Sequence, residues 1–413
     1  MLIFYRLLIN IVFLISPIIV TLRLLKKKES FKRFKEKFCF FSKKRTKGKL
    51  LWFHGASVGE IQSIIPLLER LEKNKKIKQI LVTSNTLSSS NIIEKFKFKK
   101  IVHQFFPIDT NILSKKFLNY WKPDVAFFID SEIWPNTLYN LNERNIKTVL
   151  INGRITKKTF KRWMKLTFFA KKVFSKFDLC LSSSKESKNY LDKLGAKSTK
   201  FLGNLKFSQS ENEIIEMDKG LEKFIKSRKS WCASSTHKSE EVFCANVHKE
   251  LKKKYKNLLT IIIPRHVNRT SEIINELKNL DLKFHLHNPK KKINKNTDIY
   301  IVNSYGKTKS FYKICKNVFL GGSLIKHGGQ NPLEATRYGC NIMHGPSVEN
   351  FNEIFQFLKK RKISYKIDTK FKMIKVLNKM FMRKKNFNTA EKKLRTIGQK
   401  ILNNTYNNIK IFI

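Results

Sequence analysis

The sequence predicts an α/β protein built from two doubly wound units, and three observations carry that expectation. From residue 50 onward, short apolar runs end in polar or glycine-rich loops and are followed by helical periodicity. The alternation pauses across Ser208–Gly220 and then restarts. At 413 residues the chain is long enough for two cores. The expected divisions are 1–28, 29–210 and 211–413.

The N-terminal division is apolar. Leu7 to Leu22 carries no charge, with Arg6 before it and Arg23 after it. Leu24 and Leu25 extend the stretch, and Lys26-Lys27-Lys28 opens a basic run through Lys37. This is near the lower length limit for a spanning helix, and positive charge on its far side would place the rest of the chain in the cytoplasm. Pro17 and Asn10 interrupt the run, so a helix lying in the membrane interface is the competing reading. No small-x-small cleavage site follows.

The first unit is organised around Leu50 to Glu60. Leu50–Phe53 reads as a buried strand, His54-Gly55-Ala56-Ser57-Val58-Gly59 as a loop, and Ile61, Ile64, Ile65, Leu67 and Leu68 as a helix face. Glu60 falls in the first helical turn. There it complements the helix dipole, or serves as a general base that the dipole keeps ionised. Local spacing by itself favours the plainer role, because Gly-x-x-x-Gly is a weak signal. Further strands are expected at Ile80–Thr83, Val125–Ile129, Thr148–Ile151 and Leu179–Ser182. Their following loops would bring Asp130, Glu132, Asn152 and Arg154 to the carboxyl edge that holds Glu60.

The second unit repeats the pattern. Strands Leu259–Ile263, Asp298–Val302 and Asn317–Leu320 end in Pro264-Arg265-His266, Asn303-Ser304-Tyr305-Gly306 and Gly321-Gly322-Ser323. A second glycine pair, Gly328-Gly329, precedes Asn331-Pro332-Leu333-Glu334. Pro332 suits a first helical position, so a helix is expected to open near Asn331 with its N–H groups facing the strand edge as a phosphate cradle. Glu334 could accept hydrogen bonds from a ribose diol. The spacing is neither a Walker loop nor the Gly-x-Gly-x-x-Gly fingerprint. The last forty or so residues read as Lys-rich amphipathic helix.

Charge and cysteine usage set bounds. A net charge of +54 suggests anionic partners, but lysine is spread along nearly every segment and no nucleic-acid-binding signature accompanies it. No nucleic-acid partner is expected. The six cysteines form no Cys-x-x-Cys pair and read as buried thiols of a reducing compartment. The nine histidines make no metal-ligand spacing, and His285 and His287 read as structural.

Taken together, these motifs resemble the 3-deoxy-D-manno-octulosonic acid (Kdo) transferases of lipopolysaccharide assembly. The resemblance rests on His54 to Glu60, Glu132-Ile133-Trp134-Pro135-Asn136, Gly203-Asn204-Leu205-Lys206-Phe207, Ser235-Thr236-His237, Pro264-Arg265-His266 and His327 to Glu334, in family order. It implies a GT-B fold, with two Rossmann-like domains facing a cleft and an N-terminal membrane anchor. It implies transfer of Kdo from CMP-Kdo to a lipid A precursor at the inner membrane, with inversion and with no metal or cofactor. It implies Glu60 as base, and Asp130 and Lys206 as groups that stabilise the transition state. CMP would be bound at Pro264, Arg265, Tyr305, Gly306, Lys307, Asn331, Pro332, Leu333 and Glu334. Asp130 stands where the family usually has Glu, Lys307 reverses a usual Glu, and Gln330 replaces a usual His. Another nucleotide sugar, or a basic surface-binding protein on a degenerate scaffold, are the alternatives.

Overall fold

The computed structural model describes residues 1–209, 217–288, 293–382 and 388–413. It divides into two compact units, Met1–Ser210 with Ile397–Ile413, and Glu211–Thr396. Most of the Ser208–Gly220 stretch expected between them lies outside the described residues.

The chain opens with α1 (Leu2–Leu25), long and apolar enough to cross a membrane. Pro17 lies inside it and lacks the N–H that would bond Phe13. Ser16 Oγ donates to that freed Phe13 carbonyl at 2.6 Å, so the helix continues through the proline.

The first unit is a seven-stranded parallel sheet of β1 (Leu50–His54), β2 (Gln79–Ser84), β3 (Ile101–Phe105), β4 (Val125–Ile129), β5 (Lys147–Gly153), β6 (Leu179–Ser182) and β7 (Thr199–Phe201). Its order is β3-β2-β1-β4-β5-β6-β7. β1 and β4 are buried at every position, because helices cover both faces of a parallel sheet. That explains their unbroken apolar runs. Helices α2 (Val58–Glu72) and α3 (Pro135–Glu143) follow β1 and β4. Trp52, Phe106, Phe117, Trp121 and Phe128 belong to one core cluster of this unit.

The second unit is also a seven-stranded parallel sheet, ordered β10-β11-β9-β8-β12-β13-β14. Its strands are β8 (Lys229–Thr236), β9 (Leu258–Pro264), β10 (Phe284–Leu286), β11 (Ile299–Ile301), β12 (Asn317–Leu320), β13 (Asn341–His344) and β14 (Ser364–Lys366). Helices used below are α4 (Glu240–Lys254), α5 (Thr308–Ile314), α6 (Leu333–Arg337), α7 (Lys370–Met382) and α8 (Asn388–Ile409). The edge strands β3, β7, β10 and β14, and β13 beside an edge, escaped the sequence reading; β7, β10 and β14 are only three residues each.

One expected boundary needs correction. Residues 397–413 do not stay with the second domain but pack on the first unit. A Cβ on Gly203 would meet Ile401 at 2.8 Å, and one on Gly398 would lie 2.2 Å from the Phe207 carbonyl. The returning helix α8 therefore approaches the Gly203–Phe207 segment backbone to backbone. Arg70 donates to Asn403 at 2.7 Å and stacks over Tyr406, and Lys200 donates to Asn408 at 2.9 Å. All six cysteines are buried and free.

Candidate functional site

In the first sheet the chain winds one way from β1 and the other way from β4, so a crevice opens at the carboxyl ends of this neighbouring pair. Glu60 follows β1, and Asp130 and Glu132 follow β4. Ser57 caps α2, and Glu60, three residues on, completes a capping box. Its carboxylate accepts from Ala56 N at 2.7 Å and Ser57 Oγ at 2.8 Å. The plainer role of Glu60 is thus real: it closes its own helix terminus.

Its ionisation differs from the expectation. Glu60 is not simply held ionised by the helix terminus. Burial raises its pKa to about 7, and the charges of Glu132 and then Asp130 add to the rise, against the bonds from Ser57 and Ala56 that lower it. Glu132 is itself oriented: its Oε2 lies 3.1 Å from His54 Nε2 and accepts from Trp134 Nε1 at 2.9 Å. His54 is fully buried, with Nδ1 3.0 Å from Thr83 Oγ1.

Asp130 is buried and sits at φ +58°, a left-handed conformation that costs a non-glycine residue energy and often marks a functional position. Lys206 Nζ donates to its Oδ2 at 3.1 Å, and Asn152 Nδ2 donates to Oδ1. Asn152 is left-handed too, φ +58°, and its Oδ1 accepts from Leu205 N at 2.8 Å. Asn152 therefore ties the Asp130 loop to the short helix Leu205–Ser208 that carries Lys206. Arg154 enters through its backbone, donating to the Asp130 carbonyl at 3.0 Å.

In the second sheet the winding reverses between β8 and β12. Glu240, buried in the first turn of α4, holds the loop after β12. Oε2 accepts from Gly322 N at 2.7 Å and His237 N at 3.0 Å; Oε1 accepts from Leu324 N at 3.0 Å and Ser323 N at 3.1 Å. A Cβ on Gly321 would lie 2.4 Å from the Ser235 carbonyl, so only glycine fits there. Beside this loop the His237 ring centroid is 4.4 Å from that of His327 and 5.8 Å from that of His266. Burial, then neighbouring His327, His266, Arg265 and Arg269, lowers the His237 pKa to about 4.

The expected nucleotide positions fall at the end of β9 and in the segments after β11 and β12. Pro264 ends β9, and Arg265 donates its N–H to the Thr236 carbonyl at 2.9 Å while its side chain is exposed. Tyr305, Gly306 and Lys307 lie exposed between β11 and α5, with Gly306 at φ +79°. The helix expected near Asn331 starts later and is short: α6 begins at Leu333, Pro332 is its cap, and Asn331 Oδ1 already accepts from Leu333 N at 3.1 Å. The helix start expected to serve as a phosphate cradle therefore opens a helix of only 5 residues. Glu334 Oε1 lies 3.9 Å from Lys309 Nζ.

A family model described as 3-Deoxy-D-manno-octulosonic-acid transferase (kdotransferase) matches residues 32–209. A 3-deoxy-D-manno-octulosonic acid transferase of Rickettsia bellii is 32% identical over 373 residues, covering 88% of each chain. This chain belongs to the 3-deoxy-D-manno-octulosonic acid transferase family. A Haemophilus influenzae transferase of the same name is 29% identical, over 75% of this chain and 73% of that one. By fold, this Kdo transferase chain is GT-B-like. It superposes on the UDP-GlcNAc 2-epimerase of Neisseria meningitidis with a TM-score of 0.59 at 13% identity, covering 87% of this chain and all of that one, 100%. Anabaena HepE in complex with UDP gives a TM-score of 0.53 at 10% identity, over 88% of this chain and 99% of that one.

Sequence reasoning missed two parts of this transferase. Glu240 gave a signal that went unread: His237-x-x-Glu240 has the spacing of a residue whose N–H is capped by an acid three positions on. The imidazole cluster had no such signal, because His237, His266 and His327 come from three separate loops.

Proposed function

We propose that this chain transfers Kdo from CMP-Kdo to a lipid A precursor, with inversion and without a metal ion, on the cytoplasmic side of the bacterial inner membrane. The observation that carries the reading is the carboxylate group at the β1/β4 crevice, in a chain of the Kdo transferase family: Glu60 with a pKa of about 7, beside Glu132 and the Asp130–Lys206 ion pair. A base that titrates near the working pH both takes up and releases a proton readily. In this reaction Glu60 takes the proton of an acceptor hydroxyl as that oxygen bonds to the anomeric carbon of Kdo. The bond from that carbon to the CMP phosphate breaks with its electron pair, and CMP departs. One displacement on one face inverts the anomeric centre. Asp130 and Lys206 stabilise the transition state. Pro264, Arg265, Tyr305, Gly306, Lys307 and Asn331 to Glu334 hold CMP. The cationic Arg265 suits the leaving phosphate, and Lys307 adds a positive charge where the family usually has a negative one.

The test is incubation of membranes containing the protein with CMP-Kdo and lipid IVA, followed by mass analysis of the lipid. A mass gain of one or more Kdo units is expected. No gain with CMP-Kdo, but transfer from another nucleotide sugar, would replace the donor assignment.

A further inference from the structure

The first helix has a face that the reaction does not use. Along α1 the residues turned inward are Tyr5, Ile9, Phe13, Ser16, Val20 and Leu24, three or four apart, one stripe from end to end. The stripe is fastened to the first unit along its length. Tyr5 Oη donates to the buried Asp109 at 2.8 Å, and Arg6 donates to Asn136 at 2.9 Å and Asn111 at 3.2 Å. Midway, the Phe13 and Phe38 rings are 6.1 Å apart. At the far end Arg23 pairs with the buried Glu29 at 2.6 Å. The opposite face is apolar and exposed, with Ile3 at 73%, Leu14 at 75% and Ile18 at 64% exposure. Lys26, Lys27 and Lys28 follow it, all exposed.

A helix that crosses a bilayer touches a domain on one side of that bilayer only near one end. From Arg6 to Arg23 the helix rises about 26 Å, close to the roughly 30 Å of a hydrocarbon core. Crossing would carry Tyr5 and Arg6 to the far side and break every contact they make. We infer that α1 does not cross: it lies in the plane of one leaflet, its outer face in the lipid and its inner face bound to the first unit, and the lysines after it meet anionic head groups. Arg6 holds Asn136, in the first turn of α3, and the loop leading into that helix carries Asp130 and Glu132. The lipid surface therefore runs beside the carboxylate crevice, which limits acceptors to amphiphiles resident in that leaflet. The placement of α1 rests on its packing alone and not on the donor assignment.

The test is the side of the N-terminus. A short hydrophilic extension with one cysteine is added ahead of Met1 of the full chain; the six native cysteines are buried and give little background. A membrane-impermeant maleimide should leave it unlabelled in intact spheroplasts and label it after lysis. Labelling of intact spheroplasts would overturn the inference. Independently, the Phe13→Cys/Phe38→Cys variant should cross-link on oxidation in native membranes; no bridge would count equally against it. Purified protein should sediment at least tenfold better with vesicles containing phosphatidylglycerol than with phosphatidylcholine alone, and equal sedimentation would remove the anionic head groups as partner. None of these readouts depends on Kdo transfer.

Discussion

Glu60 has one duty that its contacts show, capping its helix, and one that is proposed for it, the catalytic base, and the two usually compete. As the third residue of a capping box it accepts N–H and O–H bonds, which favour its anion. Burial and the Glu132 and Asp130 charges outweigh those bonds and bring it to about 7. Between the ordinary carboxylate value and about 7, the folded chain keeps a proton that the unfolded chain releases, so this group subtracts stability as pH rises across that window. The proposed catalytic role has the opposite sign: if Glu60 is the base, its ionised form is the active one, so transfer should fall as pH drops through about 7. Glu60→Gln keeps the size and removes the base. Transfer should slow by about 10²–10⁴, while CMP affinity holds, because the positions proposed to bind CMP lie on the other unit. Rate and calorimetry on the same sample decide this; a near wild-type rate would leave Glu60 its capping duty alone. Glu132→Gln removes the larger of the two charge effects on Glu60. The rising limb of kcat/KM against pH should then move to lower pH. An unmoved limb would mean that burial and Asp130 set the value without Glu132.

At the scale of elements, both sheets present their chemistry on loops held in conformations that strands and helices do not supply. Asp130 and Asn152 are left-handed at the ends of β4 and β5, and Ser235 is left-handed within β8 near its end. In the second unit one buried carboxylate, Glu240, accepts four backbone N–H groups and sets the Gly321–Leu324 turn. An amide nitrogen cannot accept, so Glu240→Gln should strand two of those donors. The expected loss is about 2–4 kcal/mol in urea unfolding of the full chain, from two buried donors left unpaired. A change within error would show that the turn holds its shape without the carboxylate. Much of the strand pattern was legible in the chain, because strands covered on both faces are apolar throughout. β10 and β14 were not, since three edge residues leave too little pattern to read.

Over the whole molecule, chain order and spatial grouping part company at the C-terminus. Residues 397–413 finish the first unit, bringing Ile401 against Gly203 and Gly398 against Phe207, in the segment that carries Lys206. Truncation after Thr396 should expose that segment. Limited proteolysis should then cut the first unit several times faster, and transfer should drop with it. Equal protease resistance would make the returning helix dispensable. The +54 charge belongs to this scale as well. Spread over both units, it marks no single binding surface, and it suits the anionic lipid proposed as this chain's partner.

The linear chain by itself determined the two doubly wound units, the carboxyl-edge placement of Glu60 and Asp130, and the family. These follow from local periodicity and from motifs whose residues are neighbours in sequence. Tertiary structure decided the rest. Glu60's proton affinity depends on burial and on carboxylates more than sixty residues away. The Asp130–Lys206 pair and the His237–His266–His327 cluster exist only once separate loops meet. The fate of α1 is the clearest case. Its composition allows a spanning or an in-plane helix, and it is the hold of Asp109 and Asn136 on Tyr5 and Arg6, made across more than a hundred residues, that separates the two.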